Sequence, residues 1–131
     1  MKEPIWINPR EALALHDLQL VNFGGPPGIR DLGLLESALA RPRNVFAYEH
    51  SSSFGRLAAA YAFGIVSNHP FVDGNKRTGL VVAFAFLDLN NVDINANEEE
   101  EQVYQVFMDL AAGRMKEGEL TGWFERNTAK R

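Results

Sequence analysis

Two apolar runs of helical length, LAAAYAFGIVS over 57–67 and LVVAFAFLDL over 80–89, flank one short polar segment, HPFVDGNKRTG over 69–79. Phe54, Leu57, Ala58, Tyr61, Ala62 and Ile65 fall at offsets of 0, 3, 4, 7, 8 and 11, which is a wide apolar helical face. The second run is apolar on nearly every side, which predicts a helix enclosed by other helices. A chain that must bury both runs folds as a helical bundle. The polar segment between them is then fixed to the core at both of its ends.

Further helices are expected on either side. Asn8-Pro9 opens one, because Asn is a favoured N-cap and Pro suits the first turn. Leu13, His16, Leu20 and Phe23 mark its face, and GGPPG over 24–28 ends it. Asp31 caps a second helix with Leu32, Leu35 and Leu39 as its stripe and Pro42 as its stop. The third runs from about Ser53 to Ser67. The fourth runs from Asn75 or Lys76 to about Leu89, where Asn90-Asn91 ends it, and Val92-Asp93-Ile94 reads as a short connector.

Asn97, with Glu100 three residues later, forms a variant capping box for the next helix. Glu98 to Glu101 crowd its first turn, where the helix dipole favours negative charge. Val103, Val106, Phe107, Leu110 and Ala111 form its stripe, and Gly113 suits its C-terminal cap. A last short helix spans Glu117 to Arg126, anchored by Leu120, Trp123 and Phe124. The expected fold is all-α. It is a compact single-domain bundle of five or six helices over residues 1–131, and its active loop leads into the N-terminus of a central buried helix. No strand pattern is long enough to build a sheet.

Composition narrows the function. The chain has 131 residues and no cysteine, so disulfides, a thiolate nucleophile and Cys-based metal sites are excluded, as suits the cytoplasm. A formal net charge of -4 speaks against a broad cationic surface for nucleic acid. The opening MKEPIWINPR is polar and no secretory signal. The longest apolar run, Leu80 to Leu87, is far short of the roughly 20 residues a membrane span needs. The expectation is a soluble, cytoplasmic protein that binds neither membrane nor nucleic acid directly.

Within the polar segment, Pro70 keeps His69 out of the helical region, Phe71 turns inward, and Gly74 permits a tight turn. The fourth helix then starts beside two cations. Lys76 and Arg77 sit where cations are normally unfavourable, and a bound anion removes that penalty. Free N–H groups at the helix start favour the same ligand, a phosphate. Asp73 can hold a Mg²⁺ that accompanies it, and histidine is the side chain most often used as a general base, a role open to His69. Together these residues make a phosphoryl- or nucleotidyl-transfer site. Taken singly, each has a plainer reading: His69 as a helix cap, Asp73 and Asn75 as turn residues, Lys76 and Arg77 as solvated cations. The segment is not a P-loop, because no GxxxxGK[ST] is present. Nor is it a zinc site, because His16 and His50 lack ligand spacing; His16 reads as a satisfied core or boundary residue.

HPFVDGNKR resembles the signature of the Fic/Doc family, and specifically the death-on-curing toxins. The wider pattern is His-x-Phe-x-(Asp/Glu)-Gly-Asn-Gly-Arg-x-x-Arg. His69, Phe71, Asp73, Gly74, Asn75 and Arg77 match it. Lys76 stands in place of the second Gly and Leu80 in place of the second Arg, as in the Doc branch. GIRDLGLLESALARP (28–42) and the run from Leu57 to Gly79 are similar to segments of the same toxins.

The resemblance implies a protein kinase that transfers the γ-phosphate of ATP to a hydroxyl of elongation factor Tu and halts growth. It implies His69 as the base and Asp73 as the Mg²⁺ or hydroxyl ligand. Gly74, Asn75, Lys76 and Arg77 would bind phosphate, and Phe71 would be structural. An AMP-transferase of the Fic type and an inactive antitoxin-binding module are the alternatives. The family's inhibitory Ser/Thr-x-x-x-Glu-Gly/Asn helix has one near match, Thr121 to Glu125, but Arg126 follows it. Trp123 and Phe124 there read as packing residues, so the implied inhibitor is a separate, Phd-type antitoxin.

Overall fold

The structure, a computed structural model, describes residues 2–49, 51–94 and 100–131, without the side chains of Glu100 and Glu101. Among these residues six helices follow one another: α1 (Pro9–Phe23), α2 (Leu32–Tyr48), α3 (Phe54–Asn68), α4 (Asn75–Leu89), α5 (Glu100–Ala111) and α6 (Glu117–Arg126). The strands β1 (Val92–Ile94) and β2 (Thr128–Lys130) form a small antiparallel sheet, with Val92 opposite Lys130. The helical bundle is as expected, and the sheet is an addition to it. Residues 92–94 are an extended connector that finds a partner in the C-terminal segment, and three residues are too few for strand alternation to register. The expected capping residue Asn97, the side chains of Glu98 to Glu101, and His50 lie outside the described residues.

Helix starts follow local chemistry. Asn8 and Glu11 close a reciprocal capping box on α1, Asp31 accepts the Leu34 N–H at 3.0 Å, and Ser53 accepts the Arg56 N–H at 3.0 Å. The helix α3 lies against α2, α4 and α6. It can do so because Ala58, Ala59, Ala60, Ala62 and Gly64 keep its surface low, and residues 57–62 are fully buried. The helix α4 packs on α3, α1, α5 and β1, as its all-round apolarity requires, although Leu80, Val81, Phe84 and Ala85 are only half-buried. Phe86 of α4 meets Trp6 at 5.8 Å and Tyr61 at 5.0 Å between ring centroids. Tyr61 ties the N-terminal segment to this cluster by accepting the Ile7 N–H at 2.9 Å, and burial pushes its phenol up to about 12.

Two expectations are corrected. Pro42 does not stop α2, which runs on to Tyr48. Pro42 cannot donate to the Ala38 carbonyl. That oxygen lies 3.1 Å from where a Cβ on Gly64 would stand, so it rests on the bare backbone of α3. Beyond the proline, Val45 and Phe46 pack on the core, and that burial holds the helix together past the missing bond. On α1 the buried face is Ala12, His16 and Gln19, and Phe23 is exposed. His16 turns this face toward the polar loop, while Leu13 and Leu15 still pack against the core.

Arg41 of α2 and Arg56 of α3 both pair with Glu117 at the start of α6, and Arg56 also reaches Glu49. Burial pushes the Glu117 carboxyl up, but the hydrogen bonds and charges of the two arginines outweigh it and hold the pKa below the usual carboxylate value. Among the described residues no helix is long and apolar enough to cross a membrane.

Candidate active site

The helix α3 ends at His69, whose N–H bonds back to the Ile65 carbonyl at 3.0 Å and whose backbone is left-handed at φ 53, ψ 54. Pro70 excludes the right-handed helical region for the residue before it, and the left-handed turn leaves the His69 side chain exposed. Arg30 clamps this end of α3: its Nε donates to the His69 carbonyl at 2.7 Å and its Nη2 to the Asn68 carbonyl at 2.9 Å. Asn68 Nδ2 in turn donates to the Leu34 carbonyl at 3.0 Å. The segment Gly28–Asp31 lies along Pro70–Val72, with the Arg30 and Asp31 N–H groups donating to the Pro70 carbonyl and the Val72 N–H to that of Gly28. Nothing near Arg30 in the sequence signals this role, because its partners are 38 and 39 residues away.

Phe71 is fully buried. Its N–H donates to Asn75 Oδ1 and its carbonyl accepts from Asn75 Nδ2, both at 3.0 Å. Asn75 is 4% exposed. Its side-chain amide is therefore engaged with the loop backbone, and what it offers an anion is its own backbone N–H. His16, on the buried face of α1, stacks on the Phe71 ring at 3.8 Å and 7°. Its Nε2 lies 2.8 Å from the Asp73 carbonyl oxygen, and a carbonyl only accepts, so that nitrogen carries the proton.

Gly74 adopts φ 79, ψ 18 and starts α4, and no side chain caps this helix. The N–H groups of Asn75, Lys76 and Arg77 therefore have no intrahelical partner. The exposed Asp73 carboxylate accepts the Gly74 N–H through Oδ1 at 2.8 Å. The Arg77 guanidinium sits 3.8 Å from the centroid of the Phe23 ring and 4.7 Å from that of Tyr104. Lys76 extends toward α5, with Nζ 3.9 Å from the Met108 sulfur. Leu80 packs against the core.

All the expected polar side chains meet at one place. His69, Asp73, Gly74, Asn75, Lys76, Arg77 and Tyr104 line a cavity of about 270 Å³. A cavity of about 620 Å³, with Phe63, Val66, Leu110 and Met115 in its wall, also reaches His69. Glu125 does not reach the site: it accepts from Ser53 at the opposite end of α3, about 22 Å from His69 along a helix of this length. Trp123 and Phe124 are buried, as packing residues should be. The site thus combines an accessible imidazole, a carboxylate, two cations and a row of unpartnered N–H groups, which suits transfer chemistry on a phosphate. Phe23 and His16, expected only as part of the face of α1, and Tyr104 and Arg30, which no pattern marked, join the site because tertiary packing brings each in.

Comparison with known proteins places the chain in a family. The chain is 38% identical over 88 residues to the protein named "Protein kinase doc" of Escherichia phage P1, covering 67% of this chain and 70% of that one. It is 35% identical over 92 residues to "Toxin Doc" of Mycolicibacterium smegmatis, covering 70% of this chain and 71% of that one. The model of the Fic/DOC family matches residues 6–87, from Trp6 through both core helices and the loop between them. The chain belongs to the Fic/DOC family.

Proposed function

We propose that this protein is the toxin of a toxin–antitoxin pair and that it transfers the γ-phosphate of ATP to a hydroxyl of a target protein. Elongation factor Tu is the target the family resemblance favours, and its modification would halt protein synthesis in the cytoplasm. The observation that carries the reading is the single cavity shared by His69 and the uncapped start of α4 with its two cations. The names of the two relatives, one a kinase and one a toxin, agree with it. A Phd-type antitoxin is the proposed partner.

In this reaction His69 takes the proton of the target hydroxyl, the hydroxyl oxygen bonds to the γ-phosphorus, and the bond to the β–γ bridging oxygen breaks to release ADP. Most of the catalysis in phosphoryl transfer is positioning and charge stabilisation, which the N–H groups, Lys76 and Arg77 supply. The rings of Phe23 and Tyr104 hold the Arg77 guanidinium in one orientation. Among the described residues no cluster of three acidic or His ligands exists. Asp73 is a single carboxylate, which suits Mg²⁺, an ion usually held by one or two carboxylates together with substrate phosphates and water. Bound there, Mg²⁺ would neutralise developing phosphate charge. His69 also borders the larger cavity, so a hydroxyl entering from that side meets the base next to the phosphate.

The reading is tested with ATP labelled at the α or the γ position, incubated with the protein and elongation factor Tu or a bacterial lysate. Label arriving from γ alone is expected. Transfer from α instead means an AMP-transferase and overturns the kinase. Lys76→Gly restores the small residue of the wider Fic pattern and is expected to slow γ transfer; an unchanged rate and label pattern would remove Lys76 as the determinant.

Gly25 gives a second expected result. At φ +115 a Cβ there would stand 2.6 Å from Asp73 Oδ2, so Gly25→Ala must push the carboxylate aside. Misplacement on this scale costs up to about 10²-fold in rate. Transfer assays at saturating ATP check it, and wild-type activity in this variant would show that the position of the Asp73 carboxylate does not matter.

A further inference from the structure

We infer that His16 is a positioning residue of the transfer site, which it serves through the peptide plane between Asp73 and Gly74. The inference rests on the transfer reading above for its effect on rate. A histidine at 1% exposure in a helix is a costly choice for packing alone, since a leucine would fill the space without a polar atom to satisfy. The ring does two separate things. Its face covers Phe71 at 3.8 Å, and its edge donates from Nε2 to the Asp73 carbonyl at 2.8 Å.

The second contact is the informative one. Asp73 lies one residue before the N-cap of α4, so its carbonyl has no place in the helical ladder. In a trans peptide the carbonyl and the following N–H point in opposite directions. Fixing the Asp73 carbonyl on His16 therefore directs the Gly74 N–H the other way, and there it meets Asp73 Oδ1 at 2.8 Å. One rigid plane thus links a buried imidazole to the orientation of an exposed carboxylate in the site. The same plane sets the left-handed Gly74 that begins α4 and aims its first N–H groups. His16 touches no reacting atom, and its donor contact acts on the site through Asp73 and Gly74.

Two substitutions separate the two contacts. His16→Phe keeps a ring on Phe71 and removes the donor. His16→Gln places an amide N–H near the position of Nε2 and removes the ring. The donor role predicts that His16→Phe lowers kcat/KM for γ-phosphate transfer by at least about tenfold, while His16→Gln stays within about threefold of wild type. A packing role predicts the reverse order. A second readout needs no activity: amide hydrogen exchange at Gly74 should be at least about tenfold faster in His16→Phe than in wild type or His16→Gln. If wild type transfers no phosphate, the functional reading falls, and the Gly74 exchange still decides the part of His16. Equal Gly74 exchange in the two variants, or a more active His16→Phe, overturns the inference. If His16→Phe does not fold, His16→Leu takes its place in both measurements.

Discussion

His69→Ala is expected to lose roughly 10²–10⁴-fold in phosphate transfer and to stop arresting growth on expression, with its melting temperature close to that of wild type. The stability half follows from exposure. The His69 side chain projects into solvent, so its removal leaves no cavity, and the hydrogen bonds of this turn run through its backbone to Ile65 and Arg30. The left-handed backbone at φ 53 suits histidine and asparagine better than alanine. His69→Asn should therefore be at least as stable as His69→Ala and equally inactive. Induced cultures and a labelled-transfer assay on the purified variants check both halves. Growth arrest by His69→Ala at wild-type level would mean that arrest comes from binding alone, the inactive-module reading.

The contrast between His69 and its surroundings shows what the sequence made legible. The polar segment and its flanking helices are local features. The periodicity of 54–65, the apolar run 80–87 and the turn chemistry of Asp73-Gly74-Asn75 all lie within a few residues, and so the active loop could be read directly. The positions of its supports could not. His16 reaches Asp73 across 57 residues and Arg30 reaches His69 across 39. Phe23 and Tyr104 approach Arg77 from α1 and α5. His16 and Phe23 fall on the expected stripe of α1, but no local pattern tells which surface any of these four residues meets. Pro42 shows the same limit in the other direction. Local rules end a helix there, and the core contacts of Val45 and Phe46 carry it through.

Asn75 is where a motif residue turns out to have a second, structural function, and it supports the other large expected effect. Asn75→Ala should be destabilised by about 2–6 kcal/mol, because two buried backbone groups of Phe71 lose their partners at about 1–3 kcal/mol each. Such a loss is a large fraction of the 5–15 kcal/mol typical of a folded domain. Phe71 carries the stacked His16 ring, so the loop that shapes the phosphate site should lose its form and transfer should fall with it. Asn75→Asp refines the case. Its carboxylate can still accept the Phe71 N–H, but it sets an oxygen against the Phe71 carbonyl in a buried position. Burial without a cation raises a carboxyl's folded pKa above its unfolded value, so this variant should be weakest near neutral pH and recover as pH falls and the protonated acid donates to that carbonyl. Denaturant titrations without nucleotide at two pH values measure this. If Asn75→Ala is as stable as wild type and only ATP binding is lost, the amide serves the phosphate and not the loop. The pattern expected from the geometry is the opposite: a stability defect already present in the nucleotide-free protein, with the activity loss as its consequence.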